Sequence, residues 1–139
     1  MIEGFKKMTP DLVFVQQTEA RWVALLANVN DEFLKLEQRW RGRIDAHFRN
    51  FGNPDASLPP THYASEGRHP IGGQPRQEVQ LCAFKAFQVR LYGSVLSFKE
   101  GGKTRATFVG LHLITDKKKT KADQDLLKRV AKLLEKYRD

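Results

Sequence analysis

The chain has 139 residues, of which 40% are hydrophobic and 29% are charged, and its formal net charge is +8. This composition is typical of a globular protein and excludes wholesale disorder, and the length fits one compact domain over residues 1–139. Apolar runs are too short for a membrane span, and the start lacks the apolar block of a secretory signal. We therefore expect a cytoplasmic protein without membrane contact.

The positive charge is concentrated in the second half of the chain. Residues 1–75 carry nine Lys/Arg and nine Asp/Glu, whereas residues 76–139 carry fifteen and seven. Such an excess indicates a polyanionic partner, because basic side chains that neutralise phosphates release counterions. General solubility is the alternative explanation.

In the first half of the chain we predict a short strand at residues 12–15, and residues 21–28 fit either helix or strand. Apolar residues spaced by three and four predict a helix over residues 31–51. The stripe consists of Phe33, Leu36, Trp40, Ile44, Phe48 and Phe51. Four arginines lie off the stripe: Arg39, Arg41, Arg43 and Arg49. They belong either to a solvated face or to a surface that contacts nucleic acid.

Residues 52–77 are rich in proline and glycine and show no periodic pattern. A segment of this length is unusual inside a compact domain, and it predicts a functional loop or a covering flap. It contains His62, Tyr63, Arg68 and His69, but these do not have zinc-ligand spacing. Cys82, the only cysteine, lies in an apolar run, so we expect a buried thiol and no metal or other cofactor.

The second half predicts strands at residues 78–85, 87–98 and 104–115, followed by a helix over residues 121–137. Thr120 and Asp123 have the spacing of a capping box for that helix. In the last hairpin, a two-residue loop pairing Glu100 with Lys103 would place polar beside apolar side chains. A three-residue loop pairing Glu100 with Thr104 restores the agreement, because a slip of one residue turns every side chain to the other face.

This register places His112 opposite Tyr92 and near Arg90. RNA cleavage without a metal needs a base for the 2′-hydroxyl, a cation at the phosphate and an acid for the leaving oxygen. Arg90 suits the phosphate, His112 suits proton transfer, and Tyr92 suits stacking on a base or positioning one. The alternative is a polar patch packed under a helix or the long loop.

Further basic residues extend along the strands and into the segment before the last helix. They are candidates for RNA contact, with a solvated surface as the alternative. The strand and turn residues are Lys85, Lys99, Lys103 and Arg105, and the later cluster is Lys117, Lys118, Lys119 and Lys121.

Phe108-Val109-Gly110-Leu111-His112, followed by Lys117-Lys118-Lys119-Thr120-Lys121 and an amphipathic helix, resembles the HigB-like, phage-derived toxins of the RelE/ParE superfamily. In addition, the segment from Phe87 to Gly93 resembles the arginine-bearing strand of that family. The resemblance covers roughly residues 78–138. The N-terminal region and the segment 52–77 depart from the family pattern.

The resemblance implies an α+β fold in which N-terminal helices and a C-terminal helix pack on a small antiparallel β-sheet. It also implies a metal-independent endoribonuclease that cuts mRNA on the ribosome, leaves a 2′,3′-cyclic phosphate and is inhibited by a cognate antitoxin. Arg90 would then stabilise the phosphate, His112 would transfer a proton, and Lys117 and Lys118 would contact RNA. Three alternatives stay open: a non-catalytic RNA- or protein-binding domain of this fold, a ParE-like gyrase inhibitor, and an unrelated basic domain.

Overall fold

The computed structural model describes residues 2–3, 5–117 and 123–138. Within them the strands are Ile2–Glu3 (β1), Leu12–Gln17 (β2), Arg21–Leu26 (β3), Tyr63–Pro70 (β4), Glu78–Ala86 (β5), Val89–Glu100 (β6) and Lys103–Ile114 (β7). The α-helices are Ala27–Leu34 (α1), Gln38–Gly52 (α2) and Gln124–Lys132 (α3), and 3-10 helices span Lys6–Asp11 and Glu135–Tyr137. None of the described helices is long and apolar enough to cross a membrane.

The strands form one sheet in the order β2-β3-β7-β6-β5-β4, and β1 pairs with β6. The predicted α+β class is confirmed, but the sheet is mixed and not purely antiparallel. β3 runs parallel to β7, and β1 runs parallel to β6, whereas the other pairs are antiparallel. The parallel pairing of β3 with β7 is explained by α1 and α2. These two helices follow β3 and carry the chain away from the sheet before the next strand begins.

Helices cover the sheet on both faces. Leu91 and Tyr92 are neighbours in β6 and point to opposite faces, yet both are buried. On one face α2 packs its aromatic side chains on the strands, with the Phe48 and Phe84 rings 5.0 Å apart. α3 and the two 3-10 helices lie on the other face. The Tyr137 hydroxyl joins the two 3-10 helices by donating a 2.7 Å hydrogen bond to the Asp11 carboxylate.

The helix predicted over residues 31–51 is two helices. α1 begins at Ala27 and ends at Leu34, and α2 begins at Gln38. The break is stabilised by Arg41, whose guanidinium donates a 2.9 Å hydrogen bond to the Leu34 carbonyl at the end of α1. The ambiguous residues 21–28 divide into β3 and the first turn of α1. Near-continuous burial along β3 explains the ambiguity, because a strand covered on both faces shows no alternation.

The prediction that residues 52–77 form a loop is wrong in part, because β4 lies within this segment and pairs with β5. β4 was not predicted because it is an edge strand whose buried and exposed residues do not alternate. A register shift between Ser65 and Arg68 interrupts its pairing, and its last residue, Pro70, is tolerated at a sheet edge.

The β6–β7 turn is also corrected. Glu100 pairs with Lys103 across the two residues Gly101 and Gly102, both of which have positive φ, so the three-residue loop was wrong. The pairing predicted farther along is confirmed, since Tyr92 lies opposite His112. A register shift after Tyr92 reconciles the two observations. It inserts one extra residue into β7, and the shorter turn removes one.

The last helix is shorter than the predicted span of residues 121–137. α3 begins at Gln124 and is capped by Asp123, whose carboxylate accepts hydrogen bonds from the backbone N–H groups of Asp125 and Leu126 at 2.9 and 3.4 Å. Asp123 is therefore the cap itself and not the third residue after a cap at Thr120. Thr120 lies outside the described residues.

Candidate nucleic-acid interface

The three residues predicted to be catalytic share one face of the sheet but differ in accessibility. Tyr92 is 1% exposed, so its ring is not available to stack on a base. Burial raises the pKa of Tyr92, and Glu66 adds to the increase, whereas Arg90 opposes it. His112 is half-buried. The Arg90 guanidinium donates hydrogen bonds to the backbone carbonyls of Phe87 and Val89 at 2.6 and 2.9 Å, which hold it beside the β5–β6 turn.

The residues predicted to bind RNA fall into two groups at opposite ends of β6. One group contains Lys85, which pairs across the strands with Arg90, and Lys117, whose backbone N–H donates a 2.9 Å hydrogen bond to the Gln88 carbonyl. The other group is near the β6–β7 turn and contains Lys99, Lys103 and Arg105. A strand rises about 3.3 Å per residue, so the groups lie about 30 Å apart. Lys118, Lys119 and Lys121 lie outside the described residues.

Beside the first group lies a surface that the sequence did not reveal, formed by Arg39, Trp40, Arg43 and Phe87. We call it the aromatic–arginine surface. The rings of Trp40 and Phe87 stack 5.0 Å apart with an interplanar angle of 14°. The guanidinium carbons of Arg39 and Arg43 lie 4.3 and 5.1 Å from the Trp40 ring centroid.

Phe87 is the unusual member of the aromatic–arginine surface. It occupies the β5–β6 turn with φ of 53°, and it is 63% exposed. A bulky side chain in the left-handed region costs on the order of 1 kcal/mol, and turns normally place glycine or asparagine there. An exposed phenyl ring in a strained backbone position contributes little to the core, which indicates a role in contact with another molecule.

A cleft of about 370 Å³ adjoins this surface between α2 and the β5–β6 turn. The side chains with polar or aromatic groups that line it are Arg43, His47, Thr61, His62 and Phe87, and Lys85 lines it through its backbone. The two imidazole rings stack with centroids 4.2 Å apart and planes at 17°. Burial lowers the pKa of His47, and His62 and Arg43 lower it further, against a hydrogen bond to the Lys85 backbone that raises it.

Two carboxylates lie close to the basic groups of this region. Glu37 contacts Arg39 at 2.9 Å, but both side chains are more than half exposed, so this salt bridge contributes little free energy. Glu66 lies 3.9 Å from the Lys85 ammonium, which is longer than a hydrogen bond. Neither carboxylate lines the cleft.

A second cavity, of about 250 Å³, lies on the sheet beside Tyr63 and Cys82. The Tyr63 hydroxyl donates a 3.0 Å hydrogen bond to the Cys82 sulfur, and burial raises the pKa of this thiol to about 12. The predicted buried thiol is confirmed, and the sulfur is protonated at neutral pH, which leaves it unreactive. Among the described residues, no group of three or more metal-ligating side chains is assembled.

Sequence signals for the aromatic–arginine surface were present but ambiguous. Trp40 belongs to the helical stripe, yet it is only half-buried, and arginines stand one residue before it and three residues after it. Phe87 was assigned to a strand because the sequence contains no glycine or asparagine to mark a turn there. Comparison with known protein families, characterised proteins and solved structures gives no match to this chain.

Proposed function

We propose that this protein binds single-stranded RNA through the aromatic–arginine surface and the basic residues beside it. The observation that carries the proposal is Phe87, an exposed ring stacked on Trp40 and held in a strained turn. A nucleobase that stacks on an aromatic side chain contributes roughly 1–3 kcal/mol to binding, whichever of the bases it is. Guanidinium groups add paired hydrogen bonds to phosphate oxygens and stack on bases themselves.

Single-stranded RNA fits better than duplex nucleic acid because a stacking platform needs a base that has left its helix. The surface combines the β5–β6 turn with one face of α2. Lys117 lies beside the same turn, since its backbone N–H donates a hydrogen bond to the Gln88 carbonyl. This arrangement supports a strand of RNA that passes over Phe87 towards Lys117.

Titrating short labelled RNA by fluorescence anisotropy tests this proposal. We expect single-stranded RNA to bind more tightly than a duplex of the same sequence and to dissociate steeply as salt rises. Lys85→Gln removes one phosphate contact, so it should lower the slope of log K against log salt by about 1. Lys103→Gln makes the same charge change about 30 Å away and should have no effect. Equal losses in both variants would show nonspecific attraction and would contradict the proposal.

The RelE/ParE resemblance supports a second candidate function, a ribosome-dependent mRNA endoribonuclease controlled by a cognate antitoxin. The specific observation in its favour is the pairing of Tyr92 with His112 on the face that also carries Arg90. In this candidate, Arg90 and His112 act on the phosphodiester and Tyr92 positions His112.

Cell-free translation followed by primer extension on the mRNA tests this second candidate. We expect ribosome-dependent cuts with the wild type, and at least a hundredfold slower cutting with Arg90→Ala and His112→Ala, because acid–base catalysis contributes about 10²–10⁴-fold. Lys103→Ala serves as the control and should cut normally. Intact mRNA with the wild type, under conditions where RNA binding is measured, would rule out the endoribonuclease and leave the binding function.

A further inference from the structure

The cleft next to the aromatic–arginine surface carries a charge pattern that RNA binding at Phe87 alone does not explain. Three of its lining side chains are basic: Arg43, His47 and His62. None of the described residues that line it is acidic. From this we infer that the cleft is a phosphodiester subsite, which holds the phosphate attached to a nucleotide whose base stacks on Phe87. The inference rests on the proposed function.

One buried nitrogen of the cleft is available to a ligand. Lys85 borders the cleft through its backbone, which is hydrogen-bonded to His62 and His47, whereas its ammonium lies on the other face of the sheet, 3.9 Å from Glu66. The Nδ1 atom of His62 is buried and has no hydrogen-bond partner among the described residues. A buried polar atom without a partner is costly, and an oxygen of a bound phosphodiester would satisfy this nitrogen as an N–H donor.

The cleft and the stacking platform are continuous, because Phe87 belongs to both. Its ring is exposed towards solvent, while the turn that carries it forms one wall of the cleft. A volume of about 370 Å³ accommodates a group of nucleotide size. A base on Phe87 therefore has its own phosphate within reach of the cleft, and Arg43 contacts both the Trp40 ring and the cleft.

The stacked imidazoles make this subsite sensitive to pH. Burial and the neighbouring His62 and Arg43 lower the pKa of His47, so His47 is neutral at neutral pH when the cleft is empty. A bound anion favours the imidazolium form, and by reciprocity protonation strengthens anion binding. Among the described residues that line the cleft, Arg43 of α2 is the charged group that faces the pair, while the Lys85 ammonium lies on the opposite face of the sheet beside Glu66. Affinity is therefore expected to increase as pH falls.

The test uses the dinucleotide dTpdT, whose single phosphodiester stays monoanionic across the range, and follows the imidazole NMR signals of the full chain. We expect dTpdT to shift the signals of His47 and His62 and to bind about tenfold more tightly at about pH 5.5 than at about pH 8. Arg43→Gln should weaken binding several-fold, and His47→Gln should remove most of the pH dependence. Lys103→Gln is the charge-matched control. Binding of dTpdT that leaves both imidazoles unshifted, or that does not depend on pH, would overturn the inference.

Sulfate, a dianion throughout this range, separates this inference from the proposed function. If sulfate shifts the imidazole signals while RNA does not bind, the cleft is an anion site and the RNA proposal fails. If RNA binds and depends on Phe87 while neither sulfate nor dTpdT affects the imidazoles, the RNA proposal stands and the subsite is wrong. A thermal unfolding curve for each variant shows whether a loss of binding reflects a loss of folding, and Arg43→Met repeats the charge removal with a different side chain.

Discussion

Replacing Phe87 with alanine is expected to weaken single-stranded RNA binding about 5- to 150-fold while the protein remains folded. The estimate follows from the roughly 1–3 kcal/mol that one base–aromatic stack contributes. The fold should tolerate the change because the Phe87 side chain is 63% exposed and contributes little to the core. Fluorescence anisotropy at fixed salt measures the affinity, and thermal unfolding monitors the fold.

Two further variants at the same position separate stacking from backbone effects. Phe87→Asn removes the ring but suits a φ of 53°, so it should lose RNA binding without losing stability. Phe87→Trp keeps an aromatic face and should bind within a few-fold of the wild type. RNA binding by Phe87→Asn that equals wild-type binding would show that the ring does not contact the ligand.

Gly93→Ala is expected to destabilise the protein by about 2–4 kcal/mol, the range of severe packing changes in a core. Gly93 follows the register shift in β6, where the strands approach closely. A methyl group there would collide with the backbone carbonyl of Val109 and would lie 2.6 Å from the Phe108 ring. The carbonyl belongs to the neighbouring strand, so relief requires movement of the sheet itself. Urea unfolding of the variant measures the loss.

Gly42→Ala is the matched control for this substitution. Gly42 lies inside α2, and a methyl group added there meets nothing within 4 Å. Alanine is the better helix former, so this change should stabilise the protein by about 0.5–1 kcal/mol. If Gly93→Ala unfolds at the same urea concentration as the wild type, the close approach of β6 and β7 is not as described here.

Local patterns predicted much of the sheet but not its edges. β5, β6 and β7 carry apolar runs or alternating apolar and polar residues, and their bounds lie close to the predicted ones. The pairing of Tyr92 with His112 was predicted because burial fixes register, even though the turn was wrong. β4 was missed because an edge strand with a bulge lacks alternation. The break after Leu34 was missed because the helical stripe continues across it.

The candidate site was predicted in part, for a physical reason. The charge excess and individual basic residues such as Lys85 and Arg90 are visible in the sequence. Which of them lie together depends on the length of β6, which places Lys99 and Lys103 at the far end of the sheet. The stack of Trp40 on Phe87 joins a helix to a distant turn, and no local pattern encodes such a contact.

Chemical-shift mapping of the full chain with a short single-stranded RNA tests the central claim most directly. We expect the largest changes at the Trp40 indole, the ring and backbone of Phe87, and the backbone of Lys117. The far turn around Lys103 should remain unchanged. Changes confined to that far turn, or spread evenly over all basic residues, would contradict a binding site at the aromatic–arginine surface.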